Sequence, residues 1–351
     1  MNILFICDTM GSGGAERVIA TLSNGFVEKG NKVSLLMLSS DANGSFYKLN
    51  DGIDLLKLEA KSGGFFIKAR ALRKFVEDRK PDIVISFLSY VCIYTWWALK
   101  RTKIPYIVSE RNDPHQRGKL KQFLLNNSFK KAIGCVFQTE DAYKWYRKVA
   151  KNKSTIIYNP VKLDFAPKIC KERKHQILYV GRFTEQKNVF ILIDAFKLFI
   201  NENPTFKLKM FGSGPLEDAL KQKIIKENLS DKVCILPSSK TWQQDEFDSS
   251  IFLLTSKFEG MPNVLAEALC LGIPAVSTDC PIGGPKELKK VFPRLLSLSD
   301  LDPQNICNKM KEMLLVENEK SIIPNELNDK TIVNKWLSFI RGLLKKESKH
   351  V

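Results

Sequence analysis

The sequence predicts an α/β protein with two doubly wound parallel sheets, one in each half of the chain. Its 351 residues leave room for two domains at roughly 100 to 200 residues each. Short apolar segments alternate with amphipathic segments of helical length, which is the pattern of βαβ units. The alternation is interrupted once, at residues 156–166, by a stretch with two prolines and no periodicity, and there we place the linker.

In the first half, each apolar run is short enough for a buried strand and is followed by a turn or loop. The predicted strands are residues 2–8, 32–38, 82–88, 106–110 and 132–139. The predicted helices between and after them are residues 13–30, 65–80, 90–100, 117–131 and 140–150.

The second half repeats the same alternation. Its predicted strands are residues 176–182, 206–212, 232–237, 248–256 and 273–279, and its helices are residues 188–204, 215–229 and 262–272. Near the C-terminus Ile332, Trp336, Phe339 and Leu343 recur at helical spacing, which predicts a last helix packed on one domain. We therefore expect domains at 1–160 and 161–330, with a helix at 331–351 that packs back on the first domain.

One segment has to be tested as a membrane span, because Ile83–Leu99 carries no charge and approaches the length of a spanning helix. Ser86 and Ser89 interrupt it after a β-branched run, so we interpret it as a buried strand followed by a core helix. The N-terminus lacks the basic region of a signal peptide, and we predict that it forms the first strand.

The formal net charge is +17, and residues 1–165 carry 27 basic and 15 acidic side chains. Such a surface attracts polyanions, which include nucleic acid, nucleotide phosphates and anionic lipid. The sequence contains no signature of a nucleic-acid-binding module, and we expect no nucleic-acid partner. Its eight cysteines are at least ten residues apart, which indicates a reducing cytosol rather than a disulfide framework.

Three glycine-rich or basic turns follow predicted strands, where phosphates often bind. Gly13 and Gly14 open the first helix, where backbone amides and the helix dipole favour an anion. Arg182 ends the segment 176–182 and Lys187 follows five residues later, and two cations at this spacing can hold a diphosphate. Gly212 and Gly214 form a turn that would line the bottom of a nucleotide-binding site. Taken alone, the two glycine turns are also explained by ordinary strand-to-helix junctions, and the two basic side chains by solvation at the surface.

The most informative segment is residues 253–288. Here a strand leads into the loop KFEGMP and a helix that starts near Pro262 or Asn263, where unpaired amides can hold an anion. Glu259 lies in this loop and Glu267 lies on the helix. Because one carboxylate accepts two hydroxyl groups, the pair suits a ligand with a hydroxylated ring at each end.

These motifs, GGAER, VGR with a later lysine, FGSGP and EGMPNVLAEAL, occur in the order and spacing of a known family. Across essentially the whole chain, the sequence resembles the GT4 family of retaining glycosyltransferases. The resemblance implies the GT-B fold, in which two Rossmann-like domains face a cleft. It also implies a hexosyltransferase that uses a nucleotide sugar as donor substrate, with no metal ion and no other cofactor.

The resemblance also implies a role for each matching residue. Arg182 and Lys187 would neutralise the diphosphate, Glu259 would contact the donor sugar and Glu267 would bind the ribose. Other residues would border the sugar and phosphates of the donor: Gly13, Gly14, Gly212, Gly214, Gly260, Met261, Pro262, Asn263, Val264 and Leu265. The one Asp-x-Asp sequence, Asp300–Asp302, precedes a helix and is interpreted as a cap rather than a metal site.

On the acceptor side this chain departs from many members of the family, which carry a histidine after an N-domain strand. The sequence here is SERNDP, with His115 slightly later. It is similar to the subgroup that transfers hexoses or N-acetylhexosamines to lipid-linked bacterial glycans. Glu110 and Arg111 are therefore our acceptor-side candidates for catalysis. Where relatives have a glycine-containing turn, this chain has PSSK at 237–240, which leaves the contacts to the base open.

The sequence thus predicts transfer from a UDP-sugar to a lipid-linked or polysaccharide acceptor in bacterial surface-glycan synthesis, as in capsule, O-antigen or lipopolysaccharide. Two basic amphipathic stretches, residues 65–80 and 117–131, lie in the half that would hold the acceptor. Such helices can rest on an anionic membrane, so we expect a cytoplasmic protein on the inner face of the cell membrane. The alternatives are another enzyme of the same fold, such as a UDP-hexosamine epimerase, and the nucleic-acid-binding protein.

Overall fold

The computed structural model describes residues 1–39, 44–59, 64–111, 113–163 and 170–348. Residues 164–166 of the predicted linker, and Asn112 in the SERNDP segment, lie outside these ranges. The chain forms two compact units. The first comprises Met1–Pro160 and Glu326–Val351, and the second comprises Val161–Asn325.

The described residues contain thirteen strands and twelve α-helices. The strands are β1 Asn2–Cys7, β2 Lys32–Met37, β3 Ile53–Lys57, β4 Ile83–Phe87, β5 Tyr106–Ser109, β6 Gly134–Phe137, β7 Ser154–Ile156, β8 Lys174–Val180, β9 Lys207–Phe211, β10 Val233–Leu236, β11 Ser249–Leu254, β12 Ala275–Thr278 and β13 Leu296–Ser299. The helices are α1 Gly14–Glu28, α2 Phe65–Arg79, α3 Ser89–Leu99, α4 Lys119–Lys131, α5 Glu140–Ala150, α6 Val189–Ile200, α7 Glu217–Lys226, α8 Trp242–Asp245, α9 Asn263–Cys270, α10 Gly284–Val291, α11 Pro303–Met313 and α12 Asp329–Glu347.

Each unit is built on one sheet whose described strand pairs are all parallel. The first sheet has the order β3-β2-β1-β4-β5-β6-β7, and the second has the order β10-β9-β8-β11-β12-β13. Chain order reverses direction between β1 and β4 in the first sheet and between β8 and β11 in the second. In doubly wound folds the ligand crevice opens at such a reversal, outside the carboxyl ends of the strands.

The sequence reading missed three strands, and all three lie at the edge of a sheet. β3 and β7 close the two ends of the first sheet and β13 closes one end of the second. β3 and β7 are only partly buried, and β13 reads Leu-Ser-Leu-Ser. Because edge strands are less completely covered, they lack the continuous apolar run that identifies a central parallel strand. The short helices α8 and α10 were missed as well, since neither is long enough to show a period.

The uncharged segment Ile83–Leu99 forms β4 followed by the whole of α3, as the sequence predicted. β4 is wholly buried within the sheet, and eight of the eleven residues of α3 are buried. None of the helices in the described ranges combines the length and the apolar character that crossing a bilayer requires.

The last helix, α12, contributes to the core of the first unit. Trp336 is fully buried, and its ring stacks on that of Phe87 at a centroid distance of 5.8 Å. Gly25 of α1 faces Val333, and a Cβ atom at Gly25 would lie 2.4 Å from the Val333 side chain. The missing side chain therefore lets α1 and α12 approach closely.

Candidate active site

At the reversal of chain order in the second sheet, Lys187 and Glu259 form an ion pair. Lys187 belongs to the loop that follows β8, and Glu259 to the loop that follows β11. The Lys187 ammonium contacts Glu259 Oε1, and the two side chains are 12% and 10% exposed. The sequence assigned these residues to separate ligand groups. The structure joins them, and Lys187 is not a solvated surface lysine.

Ser256 completes the surroundings of the Glu259 carboxylate. Its hydroxyl donates to Glu259 Oε1 at 2.7 Å. Its carbonyl accepts from Thr278 Oγ1 at 2.6 Å and from Cys280 Sγ at 3.2 Å. The end of β12 thus fixes Ser256. Among the described residues, both hydrogen bonds to the Glu259 side chain end on Oε1, so Oε2 is the oxygen that can accept from a ligand hydroxyl.

The loops after β8 and β11 are joined directly. The Gln186 side-chain amide donates to the Phe258 carbonyl at 3.0 Å, and the Gln186 backbone carbonyl accepts from the Lys257 backbone N–H at 2.8 Å. The Thr255 hydroxyl lies 3.2 Å from the carbonyl of Lys187. These bonds hold the cation and the carboxylate of the ion pair on a shared frame.

The helix that follows this loop begins where the sequence placed it. Pro262 is the N-cap of α9, and its own side chain makes no capping hydrogen bond. Gly260, Met261 and Pro262 lie in the loop, and Asn263, Val264 and Leu265 form the first turn. The first backbone N–H groups of a helix have no acceptor within the helix, and the dipole there favours negative charge. This helix start lies directly after Glu259.

Gly260 is also the contact point of a second turn. A Cβ atom at Gly284, at the start of α10, would lie 1.5 Å from the Gly260 carbonyl oxygen. Ile282 and Gly283, which precede it, both have φ of 70°, and this conformation is rare for a β-branched residue. The backbone at Gly284 therefore packs directly on the backbone at Gly260 and supports the loop that carries Glu259.

Glu267 lies one turn inside α9 and is 1% exposed. Its Oε2 accepts from the side-chain amide of Gln243, 2.7 Å away, on the short helix α8. Gln243 is itself buried. A buried carboxylate needs such donors to offset the loss of water, so Gln243 holds Glu267 in a defined orientation.

The structure gives Gly212 and Gly214 a packing role. A Cβ atom at Gly212 would lie 1.9 Å from the Gly181 carbonyl oxygen, and one at Gly214 would lie 2.4 Å from the Phe183 carbonyl oxygen. The turns after β8 and β9 therefore touch through their backbones. Arg182 lies on the first of these turns with its side chain exposed, and its carbonyl accepts from the Tyr179 hydroxyl at 2.9 Å.

In the first unit, Gly13 is the N-cap of α1 and Gly14 is its first residue. A Cβ atom at Gly13 would lie 2.3 Å from Glu16 Oε2, so the Glu16 carboxylate lies beside this helix start. The Tyr47 hydroxyl donates to the Gly13 carbonyl at 3.2 Å. A carboxylate satisfies the dipole as a phosphate would, so an anionic ligand here would have to displace the flexible Glu16 side chain.

The acceptor-side candidates Glu110 and Arg111 are both buried at the carboxyl edge of the first sheet, after β5. Glu110 Oε1 pairs with Arg117, 2.8 Å away. The Arg111 guanidinium lies 4.3 Å from the centroid of the Phe87 ring and donates through Nη1 to Asn159. Its Nε and Nη2 have no hydrogen-bond partner among the described residues. Burial lowers the pKa of Arg111 to about 9.

Sequence reasoning missed several polar residues of these sites. Ser256 and Gln243 carry no motif of their own, and only the folded chain brings them to Glu259 and Glu267. Asp113 and His115 form a further pair, since Asp113 Oδ1 lies 2.7 Å from His115 Nδ1. The Asp-Pro-His spacing was a usable signal, because an aspartate often accepts a hydrogen bond from the backbone N–H two residues further on. Here Asp113 Oδ1 accepts from the His115 N–H.

The sequence DLD at Asp300–Asp302 caps a helix, as predicted. Asp302 is the N-cap of α11, and its side chain accepts from the Asn305 backbone N–H at 2.9 Å. Within the described ranges, no group of three or more His, Cys, Asp or Glu side chains is arranged to hold a metal ion.

Comparison with known proteins gives two adjacent family matches. Residues 12–165 match the model for Glycosyltransferase Family 4, and residues 162–326 match the model for Glycosyl transferases group 1. Both models describe glycosyltransferases, and together they run from residue 12 to residue 326.

Two relatives and one solved structure illustrate the likeness. The chain is 28% identical over 363 residues to a PP-undecaprenol-glycan alpha-1,4-N-acetyl-D-galactosaminyltransferase of Campylobacter jejuni, which covers 97% of this chain and 98% of that protein. It is 28% identical over 312 residues to the lipopolysaccharide 1,6-galactosyltransferase of Escherichia coli, with 82% of each covered. The structure of HepE from Anabaena with UDP and glucose matches with a TM-score of 0.74 at 15% identity, over 100% of this chain and 99% of that one.

The fold, two parallel-sheet α/β units, is therefore the GT-B fold that the sequence predicted. The family matches run from residue 12 to residue 326, and the two relatives are named for a PP-undecaprenol-linked glycan and for lipopolysaccharide. The chain belongs to the GT4-like glycosyltransferases.

Proposed function

We propose that the chain transfers a hexose or an N-acetylhexosamine, with retention of configuration, from a UDP-sugar to a lipid-linked or polysaccharide acceptor. The observation that carries the proposal is the largely buried Lys187–Glu259 pair at the reversal of the second sheet, with Glu259 in the loop that leads into the start of α9. A cation and a carboxylate on two adjoining loops, together with the dipole of the helix that one of these loops leads into, suit a ligand that joins phosphates to a hydroxylated sugar.

In this proposal the donor lies along the loop after β11. Arg182, Lys187 and the first amides of α9 bind the diphosphate and stabilise the charge that develops as it leaves. Glu259 Oε2 accepts from a hydroxyl of the transferred sugar. Glu267, oriented by Gln243, accepts from the ribose hydroxyls. Arg182, Lys187 and the amides of α9 supply the positive charge that a metal ion would otherwise provide, so we propose that transfer needs no divalent cation.

For the reaction itself we propose front-face displacement. The acceptor hydroxyl attacks the anomeric carbon from the side of the leaving group, the bond to the diphosphate oxygen breaks, and a diphosphate oxygen takes the proton. The protein then contributes orientation of the two substrates and stabilisation of the leaving UDP. Glu110 and Arg111 stand at the carboxyl edge of the first sheet, where we place the acceptor.

The acceptor class is supported by the relatives. The Campylobacter relative is named for a PP-undecaprenol-linked glycan, and the Escherichia relative for lipopolysaccharide. We therefore propose a lipid-linked acceptor in surface-glycan synthesis, and a protein held peripherally on the inner, anionic face of the cell membrane. The basic surplus of the first unit favours that surface.

The test is a panel of UDP-sugars incubated with the purified chain, with and without an undecaprenyl-diphosphate-linked acceptor, in buffer with EDTA. We expect UDP release that depends on the acceptor, from one donor of the panel, with an α-linked product from an α-linked donor. Sugar isomerisation without acceptor would instead identify an epimerase. Activity that EDTA abolishes and Mg²⁺ restores would contradict the metal-independent mechanism.

Replacement of Gln243 by alanine tests the ribose site. The variant leaves Glu267 without its amide donor, and a hydrogen bond to a charged group contributes about 1.5 to 3 kcal/mol. We expect KM for the donor to rise about tenfold or more, with little change in kcat, because the contact is made equally before and during the reaction. Gln244→Ala is the matched control, since Gln244 is the next residue of α8 and is exposed. Equal KM values for the two variants would refute the assignment.

A further inference from the structure

Two half-exposed rings of the first unit meet at the carboxyl edge of its sheet. The His115 side chain is 50% exposed and Trp145 is 48% exposed. Their ring centroids are 4.5 Å apart, and the ring planes meet at 65°. His115 lies in the loop after β5, and Trp145 lies on α5, which follows the neighbouring strand β6. We call these two side chains the His–Trp corner.

A buried carboxylate sets the orientation of the His115 ring. Asp113 is 1% exposed, and its Oδ1 lies 2.7 Å from His115 Nδ1. The same oxygen accepts from the His115 backbone N–H at 2.9 Å, which caps a short 3₁₀ turn. Because an ionised carboxylate only accepts hydrogen bonds, Nδ1 carries the hydrogen in this pair, and Nε2 of the neutral ring is an acceptor. His115 is therefore a fixed polar group and not a freely rotating surface histidine.

The exposure of Trp145 is set by the residue that follows it. Tyr146 is buried, and its ring lies 4.7 Å from that of Phe129 and 5.4 Å from that of Phe137. Successive residues of an α-helix point about 100° apart. With Tyr146 in the core, Trp145 has to face outward, and α5 cannot turn it inward without removing Tyr146 from the core. The outward ring is therefore a property of the fold.

A buried arginine joins the His–Trp corner to an acceptor-side candidate. Arg117 lies 2.8 Å from Glu110 Oε1, and its Nη1 donates to the Tyr146 hydroxyl at 2.6 Å. The loop after β5 is thus attached to α5 at two places, through Arg117 and through His115. Glu110 and the His–Trp corner therefore belong to one connected assembly at this edge of the sheet.

We propose that the His–Trp corner binds a hexopyranose unit of the acceptor glycan. A pyranose ring presents C–H groups on its faces and hydroxyl groups around its rim. The negative face of the indole attracts such C–H groups, and His115 Nε2 accepts from a rim hydroxyl. The inference rests on the proposed function, which places the acceptor on the first unit, and it names the side chains that recognise a sugar of that acceptor.

The histidine decides in favour of a sugar over an apolar partner. A single exposed aromatic ring is common on protein surfaces and by itself indicates no ligand. Here the ring stands beside an imidazole whose other nitrogen is held by the buried Asp113. An apolar partner would cover Nε2 without offering it a hydrogen bond, and that is costly. A sugar satisfies the indole face and the imidazole nitrogen together.

Indole N–H signals in NMR spectra test binding without turnover. The chain has five tryptophans, so isotopic labelling of tryptophan gives five such signals, and Trp145→Phe identifies the one from Trp145. The probes are the methyl α-glycosides of galactose, glucose, N-acetylgalactosamine and N-acetylglucosamine, each added with UDP already present. We expect at least one of them to shift the Trp145 signal. A Trp145 signal that none of the four glycosides moves would overturn the proposal.

Kinetics with a water-soluble glycoside acceptor measure what each ring contributes. We expect Trp145→Ala and His115→Ala each to raise KM for the acceptor about tenfold and to leave KM for the donor unchanged. Phe123→Ala is the matched control, because it removes a ring that is 62% exposed on α4 of the same unit, and it should leave both constants unchanged. An acceptor KM in Trp145→Ala no higher than in Phe123→Ala would exclude the stacking role.

Asp113 is a positioning residue, since it acts through His115, and two variants separate orientation from packing. We expect Asp113→Ala to raise the acceptor KM as His115→Ala does. Asp113→Asn keeps a side-chain oxygen that accepts from Nδ1 and should restore most of the affinity. If Asp113→Asn were as impaired as Asp113→Ala at an unchanged thermal midpoint, orientation of His115 by this residue would be disproved.

Failure of this inference is distinguishable from failure of the proposed function. If the chain transfers from no donor but a glycoside shifts the Trp145 signal, the proposed function fails and the sugar site stands. If transfer proceeds but neither the Trp145 signal nor the acceptor KM responds, the sugar site fails. A dimer on sedimentation that Trp145→Ala converts to a monomer would also overturn it, and would assign the His–Trp corner to a second copy of the chain.

Discussion

Substitution of Lys187 by alanine is expected to lower kcat for sugar transfer by on the order of a thousandfold. The variant removes the largely buried cation that contacts Glu259. A preorganised charge aimed at a developing anion typically contributes a factor of about a hundred to a thousand. Glu259→Gln should show a loss of similar size, because it keeps the shape of the side chain and removes the charge. Steady-state kinetics with the donor found in the UDP-sugar panel measures both.

Because Lys187 and Glu259 form one ion pair, their effects should not add. Lys187→Ala leaves Glu259 with only the Ser256 hydroxyl, and Glu259→Gln leaves the ammonium without its counter-charge. The double variant should therefore be about as slow as the slower single one, as for groups that act as a unit. Multiplied losses in the double variant would show that the two residues act independently.

Lys197→Ala is the matched control for this prediction. Lys197 also pairs with a glutamate in the second unit, but it is 48% exposed, and exposed pairs contribute little. Its kcat should stay close to that of the unsubstituted chain. Arg182→Ala should resemble Lys187→Ala, since both cations are assigned to the diphosphate. Near-normal turnover in either site variant, with an unchanged circular dichroism spectrum, would refute the role proposed for that residue.

Much of the fold could be predicted because the central strands of a parallel sheet are buried on both faces. Their sequences, such as residues 3–7 of β1, read as continuous apolar runs that no other element of this length shows. The start of α9 was predictable for a different reason, since a proline before a helical run marks a boundary. Edge strands such as β3 satisfy neither condition and were missed.

The candidate site was predictable where a residue belongs to a local motif, as Glu259 and Glu267 do. It was not predictable where a residue acts through a partner distant in the chain. Gln243 and Glu267 are 24 residues apart, and Lys187 and Glu259 are 72 apart. Their contacts exist because β8 and β11 are neighbours in the sheet, although they are not consecutive in sequence. Pairing of non-consecutive strands depends on the whole sheet and leaves no local signal.

A different kind of loss is expected for Gly284→Ala, which changes no functional group. A Cβ atom at this position would lie 1.5 Å from the Gly260 carbonyl oxygen. Gly284 is not among the glycines with positive φ, so the cost is purely steric. Because the obstructing atom is backbone, it cannot rotate away, and either α10 or the loop with Glu259 has to move.

Overpacking of this kind typically costs about 1 to 3 kcal/mol, and with a backbone obstacle we expect about 3 kcal/mol for the second unit. The thermal midpoint should fall, and affinity for UDP should fall with it, since the moving loop leads into α9. Gly342→Ala is the matched control, because nothing lies within 4 Å of its added Cβ atom in α12. It should raise stability by up to about 1 kcal/mol. Suppose instead that Gly284→Ala had the same thermal midpoint and the same affinity for UDP as the unsubstituted chain. The turn at Gly284 would then not constrain the loop that carries Glu259. Support of the Glu259 loop by α10 would then be excluded.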